Sequence, residues 1–152
     1  MHLVRRMTIT LLAAFVAVVG LVAATGGASA AKTFPPNFKV TTDRPTLADL
    51  NDIVEFLVET PGVGSGQAAN VEGGMNAVVV PKTVYSLGIF RAPRGWNEVT
   101  GPLVQKGNSV TATLNSGSAG RPTIRMTIEF KKLDGNWKLS ANSLCQASRP
   151  SA

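Results

Sequence analysis

Hydrophobic positions recur every three to four residues in the stretch that follows Thr46. Leucine, isoleucine and valine side chains share one arc of a helical projection, and most acidic and amide side chains lie outside it. Phe56 is the exception, because it falls on the polar side. Thr46 is a good N-cap with Asp49 three positions later, and Pro61 ends the pattern. The sequence therefore predicts an amphipathic helix from Thr46 to about Thr60 that covers a sheet.

Apolar and polar residues alternate from Trp96 onward, with the period of half-buried strands. The predicted strands cover 97–105, 108–116, 121–133 and 136–146. Asp134-Gly135, between the last two, is a strong signal for a two-residue hairpin turn. That turn sets the register of the apolar face, whose pairs are Phe130 with Leu139, Ile128 with Ala141, and Lys132 with Trp137. The opposite face is polar and should be solvated.

The segment between these halves is less regular. Its glycines, over 62–76, indicate a helix end and a connector, because a phosphate-binding loop would leave a strand and continue into Gly-Lys-Ser/Thr. Short helices are predicted over 67–72 and 81–88. Helices followed by an antiparallel meander are typical of an α+β domain, here N-terminal helices packed on a curved antiparallel sheet of about four strands. A cone of this shape often holds a pocket.

The first part of the chain, 1–30, has the pattern of an export signal. Two arginines form a basic region, an apolar run follows over 11–24, and Ala28 and Ala30 form a small-residue cleavage site. Cleavage there makes Ala31 the first residue of the mature chain. The apolar run is shorter than the ~20 residues of a transmembrane helix, so we expect no membrane span after cleavage. The protein is predicted to be secreted or to lie in the cell envelope.

The remaining length allows one domain. We expect an extended leader over 31–45, a single α+β domain over 46–146 and a flexible tail over 147–152. The formal net charge is +6 for the whole sequence and +4 without Arg5 and Arg6 of the export signal, and this +4 is spread along the mature chain. A nucleic-acid-binding surface would need a basic stripe interleaved with aromatic residues, so no nucleic-acid partner is expected.

Composition excludes several chemistries. His2 is the only histidine and Cys145 the only cysteine, so the chain can form neither a Cys/His metal cluster, nor a histidine-dependent hydrolase centre, nor an internal disulfide. No cofactor and no metal are expected. For Cys145 the sequence favours a small buried hydrophobe over an exposed thiol that links two chains.

Two other groups of residues could bind or pair. Arg91 and Arg94 precede Trp96, and two arginines beside an indole can bind an anion or a sugar face. A surface loop with a partly buried tryptophan is the commoner arrangement. Glu72, ahead of two glycines, is expected to have a structural role as a cap or an ion-pair partner.

Five short motifs follow one another along the chain. They are Pro45-Thr46 with the leucine-rich helix, Val71-Glu72-Gly73-Gly74-Met75, Thr100-Gly101-Pro102, Val110-Thr111-Ala112 and Gly135-Asn136-Trp137-Lys138-Leu139-Ser140. In this order they resemble the mycobacterial secreted low-molecular-weight antigen family of actinobacteria, over about 45–146. The resemblance implies the α+β cone of nuclear-transport-factor-2-like and cystatin-like proteins. It also implies a secreted or envelope protein known chiefly as an antigen, with no settled activity.

The pattern favours a non-enzymatic module that binds an apolar small molecule, or a protein or envelope partner, between helix and sheet. Candidate pocket walls are Ile53, Leu57, Tyr85, Met126, Ile128 and Trp137. One alternative is a dehydratase or isomerase that uses Tyr85 and a carboxylate, as known isomerases combine a tyrosine with aspartates. Another is a structural module that forms a homodimer through its open sheet face.

Overall fold

The computed structural model of the chain describes residues 32–61 and 64–147, and every structural statement below concerns these residues. The α-helices in this part of the chain are α1 (Leu47–Glu59), α2 (Ser65–Ala69), α3 (Val79–Leu87) and α4 (Ala141–Ala147). The strands are β1 (Gly95–Lys106), β2 (Ser109–Ser118), β3 (Ile124–Leu133) and β4 (Asn136–Leu139). They form one antiparallel sheet in the order β1-β2-β3-β4. Helices followed by a four-stranded antiparallel sheet confirm the predicted α+β class.

Helix α1 has the predicted start and the predicted buried face. Thr46 and Asp49 form a capping box: the Asp49 amide donates to Thr46 Oγ1 at 3.2 Å, and the Thr46 amide donates to Asp49 Oδ2 at 2.8 Å. The buried side chains are Leu50, Ile53, Val54, Phe56, Leu57 and Val58. All but Phe56 lie on the predicted apolar arc, which packs on the sheet.

The connection between α1 and the sheet contains both short helices, slightly displaced from their predicted positions. Helix α2 begins at Ser65 rather than at Gln67, and α3 begins at Val79 rather than at Pro81. Pro81 is the third residue of α3, where its missing N–H costs nothing because the first four helical N–H groups have no partner within the helix. Gly88 ends α3 in the left-handed conformation, at φ 65°.

The β3–β4 hairpin has the predicted turn. Asp134 and Gly135 both adopt positive φ, at 53° and 72°, as the two central residues of a type I′ turn must. Two of the pairs predicted from this turn are confirmed, Phe130 with Leu139 and Lys132 with Trp137. The hairpin register therefore follows from two residues of local sequence.

The predicted strand over 136–146 is wrong beyond Leu139, where β4 ends. The predicted pairing of Ile128 with Ala141 is wrong for the same reason, because Ala141 is the first residue of α4. The helix still buries one large apolar side chain of this segment, Leu144. Alternation of apolar residues past β4 was therefore a poor guide to backbone conformation.

Two serines account for the change from strand to helix. Ser140 lies just before α4, and its Oγ accepts a hydrogen bond from the Ser143 amide at 3.2 Å, as an N-cap does. Ser143 Oγ accepts a hydrogen bond from the Glu129 amide at 2.7 Å. A side chain of α4 thus takes the place that a longer β4 would have occupied beside β3.

The leader has neither helix nor strand, but it packs on α1. The rings of Phe34 and Phe38 lie 5.7 and 5.3 Å from that of Phe56, measured between centroids, and 4.9 Å from each other. Phe56 is consequently buried although it lies on the polar arc of the helix. Its partners come from a segment without any period, which is why the helical pattern alone leaves it unexplained.

The leader also covers the free edge of β4. Val40 is buried; its amide donates to Asn136 Oδ1 at 3.0 Å, and its carbonyl accepts from the Trp137 amide at 2.9 Å. Asn136 Nδ2 donates to the Ala69 carbonyl at 2.6 Å, which joins the end of α2 to the same strand. The extended leader therefore contributes to the core of the domain.

Three predictions concern the ends of the chain. The cleavage residues Ala28, Ala30 and Ala31 lie outside the described residues, as does the predicted tail beyond Ala147. The preference for a buried Cys145 is wrong, because that residue is exposed on α4.

Candidate functional site

An apolar cavity of about 130 Å³ lies between α1, α3 and the inner face of the sheet. Helix α1 contributes Val54, Leu57 and Val58, and α3 contributes Val80, Pro81 and Val84. The remaining wall residues are Phe90, Asn97, Leu114, Ser116, Ile124, Met126, Ile128, Leu139, Ser143 and Leu144. The period of α1 and the alternation of β2 and β3 bring these side chains to one space, since both patterns point their apolar residues inward.

The polar groups of the cavity wall already have partners within the protein. Ser116 Oγ donates to Asn97 Oδ1 at 2.7 Å, and Asn97 Nδ2 donates to the Phe90 carbonyl. Ser143 Oγ accepts from the Glu129 amide at 2.7 Å. A molecule in this cavity would therefore contact hydrocarbon on almost every side, and would need no hydrogen-bonding groups of its own.

The cavity reaches the surface near the start of β3. Ile124 lines the cavity and is 40% exposed, whereas Ile128, four residues further along β3 on the same face, is buried. Met126 lies between them and is half-buried. This gradient along one face of β3 indicates an open end at Ile124 and a closed end toward α4.

Three of the six residues predicted to line a pocket do line this cavity, namely Leu57, Met126 and Ile128. Ile53 and Trp137 are fully buried in the core and do not line it. Leu114 was missed, although the alternation of β2 places it opposite Met126. No comparable alternation marks the residues of α3 and α4 that line the cavity.

Tyr85 lies outside the cavity wall. The Arg91 guanidinium stands 4.2 Å from the centroid of its ring, and Arg91 Nε donates to the Tyr85 carbonyl at 2.8 Å. The neighbouring Ala92 amide donates to Glu59 Oε1 at 3.1 Å. Among the described residues, neither Tyr85 nor any carboxylate lines the cavity. The pair that an isomerase reaction would require is therefore not assembled there.

Glu72 fixes α4, and hence the cavity wall at Leu144. Its Oε2 accepts from the Ala141 amide at 2.9 Å, and both carboxylate oxygens accept from Lys131 Nζ at 3.0 Å. The Ala141 amide, followed by Lys131, holds the pKa of the Glu72 carboxyl below its ordinary value. The expected structural role of Glu72 thus takes the form of a tie between α4, β3 and the connector.

We expect Glu72→Gln to lower the free energy of unfolding by about 1 kcal/mol at neutral pH, after allowance for solvent screening of a partly exposed group. Because the folded-state pKa is lowered, the stabilisation by Glu72 is fully present above the ordinary carboxyl pKa and is lost as the pH falls through the folded-state value. Urea unfolding at neutral and acidic pH measures both effects.

Glu98→Gln is the matched control, since Glu98 is exposed on β1. It should leave stability nearly unchanged at both pH values. If the difference in unfolding free energy between wild type and Glu72→Gln stayed constant down to strongly acidic pH, the stabilising role of the Glu72 carboxylate would be contradicted.

Within 32–61 and 64–147, no three histidine, cysteine, aspartate or glutamate side chains come together as metal ligands would. In the same part of the chain, no helix is both long and apolar enough to cross a membrane. We therefore take the hydrophobic cavity as the candidate site.

Comparison with known proteins places the chain in a family. No curated protein matches it significantly. One family model matches residues 43–150, and its description is "Low molecular weight antigen MTB12, C-terminal domain". The match begins just before α1 and includes the whole sheet, so it covers the motifs that carried the resemblance and confirms it. The chain belongs to the family of the low molecular weight antigen MTB12 C-terminal domain.

Proposed function

We propose that the protein is a secreted or cell-envelope module, without enzymatic activity, that binds an apolar small molecule between α1, α3 and the sheet. The cavity of about 130 Å³ is the observation that carries the proposal. A ligand that fills this space removes its apolar wall from water and gains dispersion contacts with it.

The size of the cavity indicates the size of the buried part of the ligand. An engineered apolar cavity of about 150 Å³ in another protein binds benzene. A space of about 130 Å³ therefore suits one small ring or the end of a hydrocarbon chain. Longer molecules would leave the cavity beside Ile124, where the wall opens to solvent.

Secretion is supported by the export signal predicted from the sequence and by the antigen family. The absence of enzymatic activity is supported by the position of Tyr85, whose ring packs on Arg91 outside the cavity. The cone of the nuclear-transport-factor-2-like proteins is the architecture we propose for the family, since it places a pocket between helix and sheet.

We expect Val84→Phe to weaken benzene binding by at least about tenfold, because the phenyl ring would occupy part of a cavity that is already small. Val84 lines the cavity from α3. A benzene titration followed by methyl resonances of Val54, Ile128 and Leu144 measures the affinity. In the wild type these resonances should shift together and saturate.

Val79→Phe is the matched control, since Val79 lies on the same helix, is 60% exposed and is not part of the wall. It should bind benzene as the wild type does. Unshifted wild-type methyl resonances at saturating benzene would overturn the proposal, and so would equal weakening by both variants.

To identify the natural ligand, the protein must be secreted by its own host and analysed by native mass spectrometry. We expect an additional mass from a bound molecule that organic solvent releases. The fraction of protein that carries this molecule should be lower for Val84→Phe. Sedimentation with and without reductant tests the alternative of a homodimer, including a dimer linked through Cys145.

A further inference from the structure

Trp96 lies on the outer face of the sheet, the face opposite the cavity. It is paired with Gly117 across β1 and β2, and it is 45% exposed. The indole lies directly over that glycine, since a methyl group added at Gly117 would come within 2.2 Å of Trp96 Nε1. The ring is thus seated against the backbone of β2, which orders it while leaving much of its surface in solvent.

The neighbours of this ring on the same face are polar. The next row of the sheet is Glu98, Asn115 and Arg125, one residue from each of β1, β2 and β3. Glu98 and Arg125 are both exposed, and Asn115 Nδ2 donates to Thr100 Oγ1 at 2.9 Å. Within the described chain neither Glu98 nor Arg125 takes part in a salt bridge.

We propose that this outer patch, formed by Trp96, Glu98, Asn115 and Arg125, binds a polysaccharide that carries acidic sugars. The face of an indole is electron-rich, so the C–H groups of a pyranose ring pack well on it. Amide and carboxylate groups one row away suit the hydroxyls of a sugar that rests on the ring. The Arg125 guanidinium can bind a sugar carboxylate through two parallel hydrogen bonds.

Charge at this end of the sheet favours an acidic chain over a neutral one. Arg94 lies just before β1, Arg121 in the β2–β3 connection and Arg125 in β3, and all three are exposed. Glu98 is the acidic residue of the patch. The excess of positive charge attracts anionic polymers and speeds their association.

A protein partner fits the patch less well. Protein interfaces bury a central cluster of aromatic and aliphatic anchors inside a polar rim. Here a single aromatic ring stands among threonine, asparagine, glutamate and arginine side chains. One flat apolar surface surrounded by hydrogen-bonding groups matches a sugar ring, which has the same combination.

The test is a titration with tetragalacturonate followed by the two indole N–H resonances. The Trp96 resonance should shift. The Trp137 resonance should not, because that indole is fully buried and donates to the Thr42 carbonyl at 2.8 Å. The methyl ester of the same tetrasaccharide keeps the rings but loses the charge, and it should bind about tenfold more weakly.

Variants separate stacking from charge attraction. Trp96→Ala should weaken binding by about tenfold or more, and Arg125→Gln should weaken it several-fold. Gly117→Ala keeps the indole but displaces it, and should also weaken binding. Val104→Ala, on the same face toward the other end of β1, should bind as the wild type does.

If Trp96→Ala fails to fold, Trp96→Phe is titrated in its place. Its phenyl ring should retain most of the affinity for tetragalacturonate. No shift of the Trp96 resonance with tetragalacturonate would overturn the proposal. Equal affinity for the acid and its methyl ester would do the same, as would binding that depends on Arg125 but not on Trp96. Self-association that is lost in Trp96→Ala, without sugar binding, would identify a protein interface instead.

Discussion

Replacement of Trp137 by alanine is expected to lower the free energy of unfolding by about 3–5 kcal/mol. The indole is fully buried in the core beneath the leader. Its Nε1 donates to the Thr42 carbonyl at 2.8 Å, and its backbone amide donates to Val40. The variant loses the packing of a large side chain, and it also leaves the Thr42 carbonyl without this donor.

Trp137→Phe separates the two contributions, because it keeps an aromatic ring and removes the N–H group. It should cost less than the alanine variant. Trp96→Phe is the matched control, since Trp96 is nearly half exposed and donates no hydrogen bond to the leader. Urea unfolding followed by far-ultraviolet circular dichroism measures all three. A Trp137→Ala protein as stable as Trp96→Phe would show that the leader does not depend on this indole.

Trp137 also shows how far a strand pattern predicts a pocket. The register at Asp134-Gly135 places Trp137 beside Lys132, and this pairing is observed. The pattern does not reveal what covers the strand. Because the leader occupies that position through Val40 and Thr42, Trp137 packs in the core and not in the cavity.

Local signals predicted α1 and the β3–β4 turn well, since a cap and a turn are decided by a few adjacent residues. Leu57, Met126 and Ile128, three of the predicted pocket residues, line the cavity, and each lies on a strongly periodic element. From α3 the sequence pointed to Tyr85, whereas Val80, Pro81 and Val84 line the cavity, since a short helix with apolar residues on several sides does not show which of them face the sheet.

Helix α4 was missed because its determinants are distant. Its first amide, at Ala141, donates to Glu72, which is 69 positions away in the sequence. Ser143 Oγ on the same helix accepts a hydrogen bond from the Glu129 amide. Ser140 before Ala-Asn-Ser-Leu was a local cap signal. A serine at the end of a strand pattern can therefore mark the start of a helix.

Phe56→Ala is expected to destabilise the protein by about 3 kcal/mol or more and to release the leader from α1. The ring of Phe56 is buried and contacts those of Phe34 and Phe38, which also contact each other. Without it, the two leader rings lose the surface on which they pack. Amide hydrogen exchange should then accelerate at Phe38, whose amide donates to the Pro35 carbonyl at 3.0 Å, more than over β2 and β3, since the sheet has its own core.

Gly66→Ala tests the same contact from the other side. A methyl group at Gly66 would lie 2.0 Å from the Pro36 carbonyl oxygen, so the leader must move. Gly64→Ala is its control, because the methyl group there would meet only Gln67 Oε1, at 3.2 Å, and no atom of the leader. Both Phe56→Ala and Gly66→Ala should expose the leader to exchange, whereas Gly64→Ala should not. Unchanged protection of the leader in both variants would mean that the β4 edge, through Val40 and Asn136, holds the segment alone.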